Sequence, residues 1–187
     1  QTDETPFEIG KNIATAPGKV VFRNDLIELI QYAPTQETVH SRPLLIFPPW
    51  INKFYILDLR EENSMIRWLV DKGLTVFVVS WRSADDVTKD YTWDDYSKNG
   101  VYAAVEAALQ ASGAKKLNAV GYCIGGTLLS GTLAHMAANG DDRVNSATFF
   151  ASQSDFELAG DLKVFTDGPG RSYIDSLIEK SGGVMPG

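Results

Sequence analysis

The stretch KLNAVGYCIGGTLLSGTLAHMAAN, residues 116–139, restricts this chain more than any other. A β-like apolar run ends at Gly-Tyr-Cys-Ile-Gly-Gly and passes, without a spacer, into small and aliphatic residues at helical spacing. A strand that turns into a helix around one residue needs a sharp, strained bend, and the neighbours of that residue must lack Cβ so that strand and helix can pack. Gly121 and Gly125 stand at those places, and Gly126 adds clearance. The rest of the chain supplies matching units. Strands are expected at 19–24, 26–34, 44–47, 74–81, 116–122 and 144–152, and helices at 62–73, 92–113, 124–139 and 171–183. LTVFVVSW (74–81) shows no polar alternation, as expected of a parallel strand covered on both faces. Strands alternating with helices imply an α/β fold with an open, mostly parallel sheet and helices on both faces.

Composition narrows the possible functions. A chain of 187 residues fits one domain with a sizeable core, and 44% apolar with 22% charged residues is ordinary for a globular protein. The net charge of −7 gives a nucleic-acid role no electrostatic support. No run approaches the length of a transmembrane segment, and the opening QTDETPFEIG is not a signal peptide. One cysteine excludes an internal disulfide and fits a reducing cytoplasm. Two histidines and one cysteine, far apart, argue against a metal site.

Gly121-Tyr-Cys-Ile-Gly125 is the cysteine form of G-x-S-x-G, the turn that presents the nucleophile in α/β-hydrolases. With 16 glycines in 187 residues, chance puts glycine at both positions in about 0.7% of cases. A buried small hydrophobe is the commoner fate of a lone cysteine. The strand before and the helix after shift the balance to a nucleophile. The helix N-terminus turns free N–H groups and partial positive charge toward Cys123, which favours thiolate. The Ile124 N–H is the expected first oxyanion donor. The second is expected from the loop PPWINKFYILDL after strand 44–47: the Ile51 N–H, with Trp50 the alternative. Pro48-Pro49-Trp50 reads equally as a rigid turn bearing a core aromatic.

Cys123 needs a histidine and an acid, and the sequence offers neither in reach. His135 lies about 16 Å along the helix that follows Cys123, at 1.5 Å per residue. His40 precedes the strand 44–47, at the opposite end of the sheet, again roughly 16 Å away. Asp155, just past the strand 144–152, reads first as a turn residue. In α/β-hydrolases the order is nucleophile, acid, histidine, so both partners are expected beyond Gly187 in a longer parent protein.

TAPGKVVFRNDLIELIQYAP, RPLLIFPPWINKFYILDL, GLTVFVVSWR, WDDY, NAVGYCIGGTLL and SATFFASQSDFELAGDLKVF together resemble the catalytic domain of class I polyhydroxyalkanoate synthases. The resemblance covers residues 3–167. It implies that 1–167 is a partial α/β-hydrolase core and that 168–187 begins the family's lid or cap region. It also implies polymerisation of (R)-3-hydroxyacyl-CoA with release of CoA, Cys123 carrying the growing acyl chain. CoA then enters as a thioester substrate and no cofactor is needed. The implied setting is a homodimer in the cytoplasm, at the surface of polyester granules. The family's N-terminal domain, acid and histidine have no counterpart in this chain.

Trp50, Phe54, Tyr55 and Ile56 are candidates for an acyl channel, and equally for core packing. Two other readings stay open. One is a cysteine hydrolase of esters, lactones or polyesters. The other is a non-catalytic fragment.

Overall fold

The computed structural model describes residues 5–165 and 168–184. Six strands form one mixed sheet: β1 (Gly18–Arg23), β2 (Ile27–Tyr32), β3 (Leu44–Phe47), β4 (Val76–Trp81), β5 (Leu117–Tyr122) and β6 (Val144–Phe150), in the order β1-β2-β4-β3-β5-β6. β1 and β2 form an antiparallel pair, turned at Asn24, whose Oδ1 accepts the Leu26 and Ile27 N–H groups at 2.9 and 2.8 Å. β2 runs antiparallel to β4, and the remaining pairings, β4–β3, β3–β5 and β5–β6, are parallel. The α/β expectation holds, with β1 and β2 added at one side.

Both faces of the central strands are buried. Leu45, Phe47, Phe77, Val79, Leu117 and Ala119 point to one core. Ile46, Val76, Val78 and Val120 point to the other. This period of two, apolar on each face, explains why LTVFVVSW lacks polar alternation. Helix α1 (Met65–Asp71) covers the second core with Ile66, Leu69 and Val70. Ser64 caps it, its Oγ accepting the Arg67 N–H at 3.0 Å, and Gly73 at φ +78° ends the turn that follows. Helices α3 (Ala103–Ser112) and α4 (Ile124–Ala138) cover the first core.

The helix expected over 92–113 is broken into three. A short α2 (Trp93–Asp95), started by a Thr92–Asp95 capping box, passes through a π-helical stretch at Tyr96–Tyr102 into α3. Gly100 lies in that wide stretch, against the Trp81 ring. A Cβ there would come within 2.7 Å of Cη2, so the bulky indole and the helix coexist only because residue 100 has no side chain. α5 (Gly168–Lys180) starts before the expected 171.

The strand expected at 144–152 forms at 144–150 and lies at the edge of the sheet. Asn145, Ser146, Thr148 and Phe149 are exposed. β1, the other edge, carries Lys19 and Arg23 and a register shift between Val20 and Phe22, features that discourage pairing with a second chain. β6 has no charge and no proline. A polypeptide of these 187 residues is therefore expected to self-associate through β6. Sedimentation would show mass rising with concentration, and one monomeric mass across the range would refute it. Among the described residues no helix is long and apolar enough to cross a membrane.

Candidate active site

From β3 the chain crosses through α1 to β4 on one side, then through α2 and α3 to β5 on the other. Strand order reverses about β3, and the crevice at the carboxyl ends beside such a reversal is where open α/β sheets bind ligands. Two segments meet there, the turn at Cys123 and the loop after Phe47. Phe47 pairs directly with Gly121.

Cys123 has φ +54° and ψ −129°, between the last residue of β5 and the first of α4. A non-glycine residue in that region costs on the order of 1–3 kcal/mol and persists only when its surroundings enforce it. Here they do. The Cys123 N–H donates to Phe150 O at 2.9 Å, extending the β5–β6 ladder by one bond. Its carbonyl accepts the Gly126 and Thr127 N–H groups at 2.9 and 3.2 Å, which starts the helix at once. The glycines are required sterically. A Cβ on Gly121 would strike the Gly126 Cα. One on Gly125 would strike Phe47 O and lie 2.7 Å from Pro48 O. One on Gly126 would strike the Ser152 Oγ and lie 2.9 Å from Gly121 O.

The side chain of Cys123 is partly exposed, and among the described residues the Ile124 N–H has no acceptor. An unpaired amide at the start of a 15-residue helix, beside a strained and accessible thiol, can receive negative charge developing on an acyl oxygen. Ile51 lies on a tight turn, closed by Asn52 N–H to Pro49 O at 3.2 Å, and the residue is 72% exposed. Trp50 turns inward, with its ring centroid 5.7 Å from Trp81, 6.0 Å from Trp93 and 4.9 Å from Tyr96. It is a partly buried aromatic packed against the first core. Phe54 packs against the second core and, edge-on, against Tyr55.

Neither histidine is at this edge. His40 lies at the amino end of β3, its N–H bonded to Gly73 O at 2.8 Å. His135 is near the end of α4, where Nδ1 meets Tyr102 Oη at 2.8 Å. Asp155 is exposed and makes a turn, its Oδ1 accepting the Glu157 N–H at 2.9 Å. Among the described residues no three His, Cys, Asp or Glu side chains gather as metal ligands.

Three supporting side chains were not foreseen. Ser152 donates to Gly121 O at 3.3 Å or to Phe150 O at 3.2 Å, and Thr127 donates to Gln153 O at 2.7 Å, so the segment after β6 is tied to the turn. Trp81 Nε1–H donates to Pro48 O at 2.7 Å, fixing the loop that carries Ile51. Thr127, one helical turn past Cys123, was the only one with a local signal.

Comparison with known proteins agrees with this geometry. Residues 42–168 match the family model described as alpha/beta hydrolase fold, and residues 1–69 match that of the poly-beta-hydroxybutyrate polymerase (PhaC) N-terminus, which corrects the expectation that the family's N-terminal part has no counterpart in this chain. A poly(3-hydroxyalkanoate) polymerase of Methylorubrum extorquens is 55% identical over 89% of this chain and 28% of its own length. A poly(3-hydroxyalkanoate) polymerase subunit PhaC of Rhizobium meliloti is 50% identical over 97% of this chain and 30% of its own. The chain thus spans less than a third of these relatives. Among solved structures, a fungal esterase from Rhizomucor miehei superposes with a TM-score of 0.53 at 15% identity, covering 85% of this chain and 48% of its own. That likeness concerns the fold alone.

Proposed function

The chain belongs to the α/β-hydrolase fold family, and from that premise we propose that it is the nucleophile-bearing part of an enzyme that polymerises (R)-3-hydroxyacyl-CoA into polyhydroxyalkanoate. The resemblance to polyhydroxyalkanoate synthases read from PPWINKFYILDL and GYCIGGT is carried by the matches to polymerases at 50–55% identity. The observation that supports Cys123 as nucleophile is its backbone, at φ +54° between strand and helix, with the unpaired Ile124 N–H beside it.

In the proposed reaction the Cys123 thiolate attacks the thioester carbonyl. An Sγ–C bond forms, the oxygen takes the charge, and the Ile124 and Ile51 N–H groups stabilise it. The oxyanion collapses, the bond to the CoA sulfur breaks, and CoA leaves with the proton that the cysteine gave up. One thioester replaces another, so acyl-transfer potential is kept. The 3-hydroxyl of the next acyl unit then attacks, forming an oxoester, a downhill step. A histidine to take the thiol proton and an aspartate to assist the hydroxyl are supplied by parts of the longer protein outside these residues. Water must be excluded, or the acyl-enzyme hydrolyses, and a lid beginning at residues 168–187 would do that. The same reading extends to a cytoplasmic homodimer working at the granule surface.

The test is to incubate the full-length protein with (R)-3-hydroxybutyryl-CoA and follow free thiol. CoA release with insoluble polymer is expected. Soluble hydroxy acid would replace the proposal with a cysteine hydrolase. The 187-residue polypeptide alone is expected to show no turnover, because among the described residues neither histidine lies at the edge of the sheet that carries Cys123.

A further inference from the structure

Asp58 is 1% exposed, and only one of its carboxylate oxygens has a partner among the described residues: Oδ2 accepts the Ala16 N–H at 3.0 Å. Oδ1 has none, and neither has the hydroxyl of Tyr32, itself 3% exposed. Burial, with the Asp58 carboxylate second, pushes the Tyr32 hydroxyl far above its ordinary value, so the two groups feel one another. Arg67 turns Nη2 to Thr15 O and Oγ1, both at 3.3 Å, and Nη1 to Glu61, and its buried Nε has no partner among the described residues. A buried carboxylate so sparsely paired is costly, and a residue kept at such cost calls for an explanation.

Its position in the chain supplies one. Residues 48–58 hold two tight turns joined by an extended Lys53: Asn52 N–H to Pro49 O at 3.2 Å, then a 3-10 turn at Phe54–Leu57 with Ile56 N–H to Lys53 O and Asp58 N–H to Tyr55 O at 3.0 and 2.8 Å. The near end of this segment is fixed by Trp81 on Pro48 O. The far end is fixed by Asp58, whose own carbonyl accepts the Ala14 N–H at 2.9 Å while its side chain takes Ala16. Ile51 lies exposed between the two anchors. Ala14 is held at φ +54°, a strained conformation for alanine, so the clip at residues 14–16 is enforced from both sides.

We propose that Asp58 is a positioning residue: by gripping the segment 14–16 it sets the loop 48–58, and so the Ile51 N–H, for acyl transfer at Cys123. This rests on the acyl-transfer reading above. The side chain works as a hydrogen-bond acceptor, not as a charge, since its bond is to a neutral amide.

Full-length protein carrying Asp58→Ala, Asp58→Asn or Asp58→Ser distinguishes the cases, with rates expressed per folded molecule, taken from the soluble fraction that shows the parent's cooperative thermal unfolding transition, which removes misfolded molecules from the count. Asp58→Ala is expected to lower kcat for 3-hydroxybutyryl-CoA by about 10- to 100-fold with KM nearly unchanged, the scale of a misplaced catalytic donor. Asp58→Asn, which keeps an acceptor for Ala16, is expected to retain most of kcat. Should Asp58→Ala not fold, Asp58→Ser gives the same split in smaller measure. An unchanged kcat per folded molecule means a merely structural anchor and overturns the proposal. An Asp58→Asn rate as low as that of Asp58→Ala overturns it too, by assigning the effect to charge. If the unaltered protein transfers no acyl group from CoA but hydrolyses p-nitrophenyl butyrate, the acyl-transfer reading fails. The same ratios on that ester then still decide the role of Asp58.

Discussion

Cys123→Ala in the full-length protein is expected to abolish acyl transfer from 3-hydroxybutyryl-CoA, by a factor of at least about 10⁴, the scale on which loss of a nucleophile acts. The fold is expected to survive, because the side chain is partly exposed and its backbone contacts, to Phe150 O and from Gly126 and Thr127, do not involve sulfur. Cys123→Gly separates strain from chemistry. Glycine adopts φ +54° freely, relieving about 1–3 kcal/mol of strain. Its extra freedom in the unfolded chain costs only about 0.5–1 kcal/mol. Thermal melting of Cys123→Gly is therefore expected at or above that of the parent, with no acyl transfer. A less stable Cys123→Gly would show that the turn is not strained, and residual turnover in Cys123→Ala would remove cysteine from the mechanism.

The turn was legible in the sequence because its constraints are local. Gly121, Gly125 and the change from strand to helix period all lie within a dozen residues, and sterics alone ties them together. The burial of both faces of β4 was legible for the same reason, since the uninterrupted apolar run LTVFVVSW has no solvent-facing register. What escaped reading depends on residues distant in sequence. VNSATFF carries Asn145, Ser146 and Thr148, three of its four exposed positions, but its place at the end of the sheet order depends on pairings with strands distant in sequence. The π-helical stretch answers to Trp81, some twenty residues earlier, and Gly100 read simply as a helical position. Trp81 on Pro48 and Asp58 on Ala16 are single contacts across the fold, without periodicity to announce them. Trp50 and Ile51 are neighbours of similar apolar character, and only the turn at Pro49–Asn52 determines that one faces the core and the other solvent.

Gly125→Ala is expected to have the second-largest effect, and the direction of its failure is informative. The added Cβ would meet only main-chain atoms: Phe47 O, Pro48 O at 2.7 Å and Pro48 C at 2.9 Å. Those atoms cannot retreat. β3 is paired on both sides, with β4 and β5, and the Pro48 carbonyl is held by Trp81. The start of α4 must move instead, carrying the Ile124 N–H away from the loop that bears Ile51. Overpacking of this kind costs about 1–3 kcal/mol. Loss of an aligned oxyanion donor costs about 10²–10³ in rate. A lower melting temperature together with at least a 100-fold fall in kcat is the expected result. Gly131→Ala is the control in the same helix, since its Cβ would meet nothing nearer than Trp93 Nε1 at 3.8 Å. Alanine there should stabilise by up to about 1 kcal/mol through helix propensity and leave the rate alone. If Gly125→Ala instead behaves like Gly131→Ala, the junction of β3, β5 and α4 is loose enough to absorb a methyl group, and close packing at the turn cannot be what aligns the amides with the sulfur.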